Sequence, residues 1–326
     1  MDLNSLIRLI AAFLSLMMTL LNFLLSSFGS GAIEVPTVTV TDPGTSVTSQ
    51  IDEPSVPGTF TITAYGWGHG VGMSQQGAIV MANNGEKYVK ILEHYFTGAH
   101  VYAETSTPST ITYGSKSYPI LEFLCKTVKA EIGADSPKEA IKAQAAAIYS
   151  FAKYYDYKVT SSQMAMSSSY ASGSNMEKYV MEYLGMSSTS DAPKAKFVTT
   201  DGRKACLAIF GDCVAGHTCS AESVWGQAYS YLVPVTSPET VTSKSVSITA
   251  EDMRNCIRNY KSSITLSADP SQWLKITAHD SALNSTVGYV SSMKIGNDTI
   301  SGWNFRYKVV GINTIRSHCM TIKYNA

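Results

Sequence analysis

The segment GWGHGVGM, residues 66–73, alternates glycine with larger side chains. Because its four glycines lack a Cβ, one side of the segment consists of backbone alone, which allows another chain segment or a flat ligand such as a sugar ring to come close. The alternative is a glycine-rich corner that packs beneath Trp67 and Met73. The spacing is not G-x-G-x-x-G and no βαβ unit surrounds it, which excludes a dinucleotide-binding loop.

The neighbouring patterns place the glycine segment between a strand and a helix. Alternation of Phe60, Ile62 and Ala64 in the preceding residues predicts a half-buried strand. The following run, residues 75–99, has the spacing of two short helices separated at Asn84-Gly85.

The start or end of each of two further predicted helices is marked by capping residues. The run ILEFLCKTVKAEIG, residues 120–133, has an apolar face at helical spacing and ends at a glycine suited to a C-cap. The next run predicts a helix with Ser136 as N-cap, Pro137 at the first helical position and Glu139 completing a capping box. Residues 161–190, rich in Ser, Met and Gly with a short amphipathic piece at residues 176–185, are interpreted as an insertion or cleft loop without recognisable chemistry.

The rest of the chain reads mainly as antiparallel strands. Alternating runs with Asp-Gly and Gly-Asn turns occupy residues 195–213, 288–311 and 318–325, and one helix with Thr249 as N-cap lies between them. The predicted fold class is α+β, with mixed helices and antiparallel strands forming one domain with a substrate cleft.

Composition excludes one broad class of partner. The chain has 326 residues, of which 25 are basic and 25 acidic, and its formal net charge is +0. Without a basic run it lacks the electrostatic character of a nucleic-acid-binding protein, so we expect no nucleic acid as partner.

Residues 9–28 carry no charge over a length close to that of a bilayer core. They predict a membrane anchor or a signal segment over residues 1–28, and we favour an uncleaved single-pass helix. Arg8 precedes the run and the next charge is Glu34, which places the following residues outside the cytoplasm. Residues 29–57, rich in Pro, Thr, Ser and Val, are interpreted as an extracellular linker to a domain over residues 58–326.

Glu131 is the candidate catalytic acid. It lies three residues after Val128 and seven after Leu124, which places it on or beside the apolar face of its helix. Burial and the negative end of the helix dipole both favour the protonated carboxyl, the form that a general acid requires. The alternative is a structural glutamate held at a helix end by an N–H group or a lysine.

The following helix has small residues that allow close helix packing around Gln144, which is either a structural amide or a substrate contact. A second cluster, CVAGHTC, gathers Cys213, His217 and Cys219, whose thiolates and imidazole suit a tetrahedral zinc ion. A Cys213–Cys219 disulfide is the equally weighted alternative.

Three separated stretches together resemble the stage II sporulation protein D family of peptidoglycan lytic transglycosylases. They are GWGHGVGMSQQGAIVMANNGEKYVKILEHYFTGA, LEFLCKTVKAEIGADSPKEAIKAQAAAIYSFAKYY and AIFGDCVAGHTCSAESVWGQAYSYLVPVTSPE. The closing residues, 300–324, are similar to that family's final strands.

The resemblance implies an enzyme that cuts the bond between N-acetylmuramic acid and N-acetylglucosamine and leaves a 1,6-anhydro sugar. Glu131 matches the family's catalytic glutamate and would act first as acid, then as base. The resemblance also implies cleft residues that contact the substrate, namely Gln144, His69, Ser74, Gln75 and Lys142. Zinc bound by other family members implies a structural zinc at Cys213, His217 and Cys219.

This chain departs from the family pattern in two ways. The GHGVGMSQ segment, within residues 58–100, opens the domain instead of closing it, which indicates a circular permutation and predicts that Ala326 lies near Gly58. Where the family has an arginine before a Thr-Tyr pair, this chain has Tyr149-Ser150-Phe151, which predicts reduced substrate affinity or activity.

The expected partners are peptidoglycan glycan strands, the membrane through the N-terminal helix, and proteins of a wall-amidase or engulfment complex. The expected location is the cell membrane with the catalytic domain on its extracytoplasmic side, during sporulation. Two other functions remain open at this point: a non-catalytic wall-binding enhancer of a peptidoglycan amidase, and a structural protein of an envelope complex.

Overall fold

The strand that precedes the glycine segment, β1 (Thr59–Tyr65), is the central strand of a three-stranded antiparallel sheet. The computed structural model describes residues 56–280 and 287–326. Phe60, Ile62 and Ala64 point into the core in alternation with half-buried neighbours, so the predicted strand is confirmed. The strands β9 (Ser243–Thr249) and β13 (Met320–Asn325) pair with its two edges.

The helices and the remaining strands follow in chain order. The helices are α1 (Gln75–Asn83), α2 (Tyr88–Tyr95), α3 (Ile120–Glu131), α4 (Lys138–Tyr154), α5 (Asn175–Tyr183), α6 (Ala221–Trp225), α7 (Ala250–Tyr260) and α8 (Gly302–Asn304). The other strands are β2 (Met73–Ser74), β3 (His100–Ala103), β4 (Thr110–Tyr113), β5 (Lys116–Pro119), β6 (Lys158–Val159), β7 (Lys196–Thr199), β8 (Phe210–Gly211), β10 (Leu274–Asp280), β11 (Tyr289–Ile295) and β12 (Asp298–Ile300). A 3-10 turn spans Pro270–Gln272, and a π-helical segment, Phe305–Val310, follows α8.

The sheets are small and mainly antiparallel. β10, β11 and β12 form one antiparallel sheet, β3 pairs with β7, and β4 pairs with β5 as a hairpin. Parallel pairing occurs in two short ladders, β2 with β8 and β4 with β6. The mixture of helices and antiparallel strands agrees with the α+β prediction.

The buried apolar side chains form two clusters. The larger one lies among α1 to α5 and includes residues such as Phe123 and Ile148. The smaller one lies beneath the sheet of β1 and includes Phe60 and Met293. Residues before the glycine segment belong to the sheet cluster, whereas Val71 and Met73 belong to the helical cluster, so the segment passes from one core to the other.

Most helix predictions are confirmed, with one correction at a helix start. Thr249 caps α7 by accepting a hydrogen bond from the Asp252 N–H. Ser136, however, is not the N-cap of α4: Pro137 occupies that position, and the Ser136 hydroxyl donates to the Ile132 carbonyl at the end of α3. The hydroxyl therefore joins the two helices because an orphan carbonyl of α3 lies within its reach.

The prediction of strands across residues 301–310 is wrong, because this stretch is helical. The Ser301 hydroxyl accepts a hydrogen bond from the Asn304 N–H and so starts α8. Phe305, Arg306 and Val309 then turn inward together in the π-helical segment. A run this short does not distinguish a helix from a strand by its periodicity, and packing against the sheet decides.

The prediction of a membrane-spanning helix is also corrected. Within residues 56–280 and 287–326, no helix is long and apolar enough to cross a bilayer. The longest, α4, has 17 residues and carries several charged side chains, whereas a span needs about 20 apolar residues. The predicted anchor, residues 9–28, lies outside the described residues. The fold class is therefore α+β without a membrane span in the described residues, and the single-pass membrane location has no support from the structure.

The two ends of the described fold meet, as predicted. Thr59 pairs with Asn325 at the end of the β1–β13 ladder, and the Tyr324 hydroxyl donates to the Pro57 carbonyl at 2.9 Å. A Cβ on Gly58 would collide with the Tyr324 ring, so this contact is close-packed.

Candidate functional site

Glu131 is the last residue of α3, and its carboxylate lies between α1 and the loop that precedes α5. Its Oε2 accepts a hydrogen bond from Gln75 Nε2 at 3.3 Å, and its Oε1 accepts one from the Ala165 N–H at 2.5 Å. The apolar face of α3 is buried through Leu124 and Val128, which carries the adjacent glutamate partly inward. The site therefore joins three segments that are distant in sequence.

The environment of Glu131 favours its protonated form. Burial raises the pKa of the carboxyl above its ordinary value, and the hydrogen bonds from Ala165 and Gln75 oppose that shift without cancelling it. Tyr113 lies close enough that its own pKa is raised, first by burial and then by the charge of Glu131. Its hydroxyl donates to the Met164 carbonyl at 3.0 Å, which fixes the loop that carries Ala165.

Gln75 links the glycine segment to Glu131. It is the first residue of α1, directly after the glycines, and only 5% of its surface is exposed. Of the cleft residues predicted from the sequence, it is the one that forms a hydrogen bond with Glu131. An amide that donates to a carboxylate stabilises the ionised form and orients it.

Ser74 is part of a buried structural network. Its hydroxyl caps α1 by accepting from the Gly77 N–H, and it donates to Glu239 Oε1 at 2.6 Å. Glu239 also accepts from the Val214 N–H and from the Ser237 hydroxyl. These contacts connect the start of α1 to the segment before β9, and they leave Ser74 no part in binding Glu131.

His69 is held as a neutral side chain. Its Nδ1 accepts a hydrogen bond from the Val71 N–H at 3.0 Å, so the ring proton is on Nε2. Burial, with a smaller contribution from the charge of Arg306, lowers its pKa to about 4. The ring packs against Trp225, with 5.2 Å between the ring centroids, and makes no hydrogen bond to Glu131.

Gln144 and Lys142 lie on α4. Gln144 is fully buried, and neither its Nε2 nor its Oε1 has a hydrogen-bond partner among the described residues. Lys142 lies 3.6 Å from Glu139 and 3.8 Å from Glu182, and its ammonium covers the ring of Tyr88. The Lys142 ammonium thus interacts with two carboxylates and an aromatic ring of the protein itself.

The glycine segment is covered mainly by the protein itself. A Cβ at Gly66 would press on the backbone at Val214, one at Gly70 would enter the ring of Tyr289, and one at Gly72 would strike the Ile209 carbonyl. Only at Gly68 would an added Cβ meet nothing within 4 Å. The alternative of a packed corner is therefore the better description, and Gly68 marks its open position.

The described residues contain no group of three or more His, Cys, Asp or Glu side chains arranged to hold a metal ion. Cys213 pairs with Trp67 through the backbone in an isolated antiparallel β-bridge. The His217 Nδ1 donates to the Thr218 carbonyl, and the Cys219 thiol donates to the His69 carbonyl. The three predicted ligands are not gathered into a metal site in the part of the chain that the structure describes, so the zinc finds no support there and stays a prediction. All six cysteines are free, so the alternative Cys213–Cys219 disulfide is wrong.

Sequence reasoning missed several residues of this region. Ala165 acts through its backbone N–H, which no side-chain pattern reveals, and it lies in the loop interpreted as lacking chemistry. Tyr113, on β4, has no local motif. His318, whose Nε2 lies 4.0 Å from the Cys219 sulfur, comes from the far end of the chain.

Comparison with known proteins gives one informative similarity. No family model matches the chain. A segment of 44 residues is 52% identical to the stage II sporulation protein D of Bacillus amyloliquefaciens, and it covers 14% of this chain and 13% of that protein. The match supports a weak relationship to that protein and suggests a sporulation-related role at the cell wall. A match of this length does not show a circular permutation, which stays a prediction.

Proposed function

We propose that this protein is a peptidoglycan lytic transglycosylase with Glu131 as its acid–base group. The observation that carries the proposal is the placement of Glu131: a partly buried carboxyl with a raised pKa, oriented by Gln75 at the junction of three segments. Titratable groups with a pKa displaced by burial are typical of catalytic sites. The similarity to stage II sporulation protein D supports a sporulation-related role at the cell wall, and peptidoglycan as the substrate is part of this proposal.

The reaction needs one proton donor that returns as an acceptor. Protonated Glu131 gives its proton to the glycosidic oxygen between N-acetylmuramic acid and N-acetylglucosamine, and the bond from that oxygen to the muramoyl anomeric carbon breaks. The muramoyl C6 hydroxyl attacks the anomeric carbon, and the Glu131 carboxylate takes the hydroxyl proton. The products are a free N-acetylglucosamine end and a 1,6-anhydromuramoyl end, and no water is consumed. A single carboxyl suffices, in contrast to hydrolases that use two.

Gln75 and the Ala165 N–H stabilise the carboxylate that forms after the first proton transfer. Both donate to Glu131, so both lower the cost of the ionised intermediate while burial keeps the resting group protonated. Gln144 is fully buried on α4 and has no hydrogen-bond partner among the described residues, so a sugar does not reach it in this conformation and its role as a substrate contact stays a prediction.

The test is to incubate the purified protein with glycan strands and to measure 1,6-anhydromuramoyl ends by mass spectrometry. The matched variant is Glu131→Gln, which keeps the shape of the side chain and removes the titrating proton. General acid–base catalysis contributes about 10²–10⁴-fold, so we expect at least a hundredfold fewer anhydro ends from the variant. Equal product from both proteins would exclude Glu131 as the acid.

A non-catalytic wall-binding enhancer of an amidase is the second candidate, and one observation favours it. Both oxygens of Glu131 already accept N–H groups, as in a structural glutamate at a helix end. Retention of the protein on glycan strands, with no anhydro ends from either the native protein or the variant, would support this function instead.

A further inference from the structure

A groove of about 320 Å³ opens at the side of the glycine segment that holds Trp67. Its lining combines one residue of the glycine segment, one from the start of β9, one from the π-helical segment and a loop before β13. The lining residues are Trp67, Lys244, Arg306, Ile312, Asn313, Thr314 and Arg316.

Among the described residues, the lining is basic and includes no acidic side chain. Lys244, Arg306 and Arg316 contribute three positive charges, and within the described residues none of them forms an ion pair with a carboxylate. Arg306 is fixed in the floor, since its Nε donates to the Ile315 carbonyl at 2.9 Å. In a chain with a formal net charge of +0, such a local excess attracts anionic groups.

The groove also presents an aromatic surface. Trp67 is 51% exposed although its backbone is held firmly, with its N–H donating to the Cys213 carbonyl at 3.0 Å. The Arg316 guanidinium lies 4.8 Å from the centroid of the indole ring, and Ile312 beside it is 44% exposed. An exposed indole beside a cation suits a ligand that has both an apolar face and a negative charge.

We propose that this groove binds an acidic saccharide, with the sugar ring against Trp67 and its carboxylate at Lys244 and Arg316. A sugar ring supplies the apolar C–H face that an indole contacts, and a carboxylate supplies the missing counter-charge. A phosphate polymer without rings would use the cations and leave the indole unused, and a neutral sugar would do the reverse. The site does not include Glu131, so it stands independently of the transglycosylase proposal.

The experiment is isothermal titration calorimetry of the full chain with tetragalacturonate, with neutral galactotetraose and inorganic polyphosphate as comparison ligands. We expect tetragalacturonate to bind most tightly and its affinity to fall as sodium chloride is raised, because exposed charges are screened. Trp67→Ala should weaken binding about 2–10-fold, which corresponds to the usual contribution of an aromatic contact. Lys244→Gln combined with Arg316→Gln should weaken it about 2–30-fold, as for two charge pairs near the surface.

The matched control is Lys116→Gln combined with Arg203→Gln, which removes the same charge from exposed positions outside the groove. This control and Glu131→Gln should leave the affinity unchanged, and Trp67→Phe should retain most of it. The proposal is overturned if tetragalacturonate does not bind, if a comparison ligand binds as tightly, or if the groove variants bind like the control. Circular dichroism melts of every variant separate lost binding from lost folding.

Discussion

Gly72 and Gly68 provide a direct test of why the glycine segment is made of glycines. Both have positive φ, +79° and +97°, so alanine at either position is strained in its backbone. They differ in their surroundings: a Cβ on Gly72 would lie 2.8 Å from the carbonyl carbon of Ile209 and closer still to its oxygen, whereas a Cβ on Gly68 would meet nothing within 4 Å.

The two substitutions should therefore differ by the energy of the steric contact. Backbone strain in the left-handed region costs about 1–2 kcal/mol for either alanine. At Gly72 overpacking adds about 1–3 kcal/mol. The Ile209 carbonyl also accepts from the Met73 N–H at 2.9 Å, and displacing it weakens a hydrogen bond worth about 0.5–1.5 kcal/mol. We expect a loss of about 2.5–6.5 kcal/mol for Gly72→Ala and about 1–2 kcal/mol for Gly68→Ala.

Urea unfolding followed by circular dichroism measures both values on the same preparation. Against a typical total stability of about 5–15 kcal/mol, Gly72→Ala should shift the midpoint substantially and Gly68→Ala only modestly. Equal losses from the two variants would refute the packed-corner description, because backbone strain alone would then account for the glycines.

Three other results are expected. If Glu131 must be protonated, the rate of glycan cleavage should fall as pH rises through the raised pKa of its carboxyl. Gln75→Leu removes a hydrogen bond to the carboxylate and should move this fall in rate to higher pH, whereas Gln76→Leu, at an exposed position, should not. pH–rate profiles of the native protein and the two variants test this. Burial lowers the pKa of His318 to about 3, below its unfolded value of about 6.5, so stability is complete above pH 6.5 and declines as pH falls toward 3. Between pH 7 and pH 5 the free energy of unfolding of His318→Phe should therefore fall by about 2 kcal/mol less than that of the native protein, as measured by urea unfolding. Equal decreases in the two proteins would contradict this account. Ser74→Ala should lower the free energy of unfolding by about 1–3 kcal/mol, because it removes the helix cap and a hydrogen bond to a buried carboxylate. Glycan cleavage per folded molecule should be unchanged, and a selective loss of cleavage would indicate that Ser74 contacts the substrate.

The sequence predicted the elements whose signals are local. The alternation in β1 and the Thr249 cap of α7 each depend on a few adjacent residues, and both are confirmed. The helical stretch from Gly302 to Val310 was not predicted, because its inward residues are selected by packing beneath the sheet of β1. Local periodicity carries no information about such a contact.

The candidate site was predictable in its principal residue and not in its arrangement. The position of Glu131 on an apolar helix face indicated partial burial, which the structure has. Its partners Gln75 and Ala165 lie 56 and 34 residues away, and one of them acts through the backbone. The basic groove combines Trp67 with Arg316 from the far end of the chain, so no contiguous motif marks it.

The central place of β1 in its sheet has a consequence during synthesis. Among the described strands it leaves the ribosome first, but its neighbours β9 and β13 follow only after about 180 and 260 further residues. Both of its hydrogen-bonding edges therefore stay open while most of the chain is made, the situation in which strands pair wrongly between molecules. The sheet thus closes only after β13 has been made, and a truncation that removes residues 320–326 should produce aggregation instead of a shortened native fold.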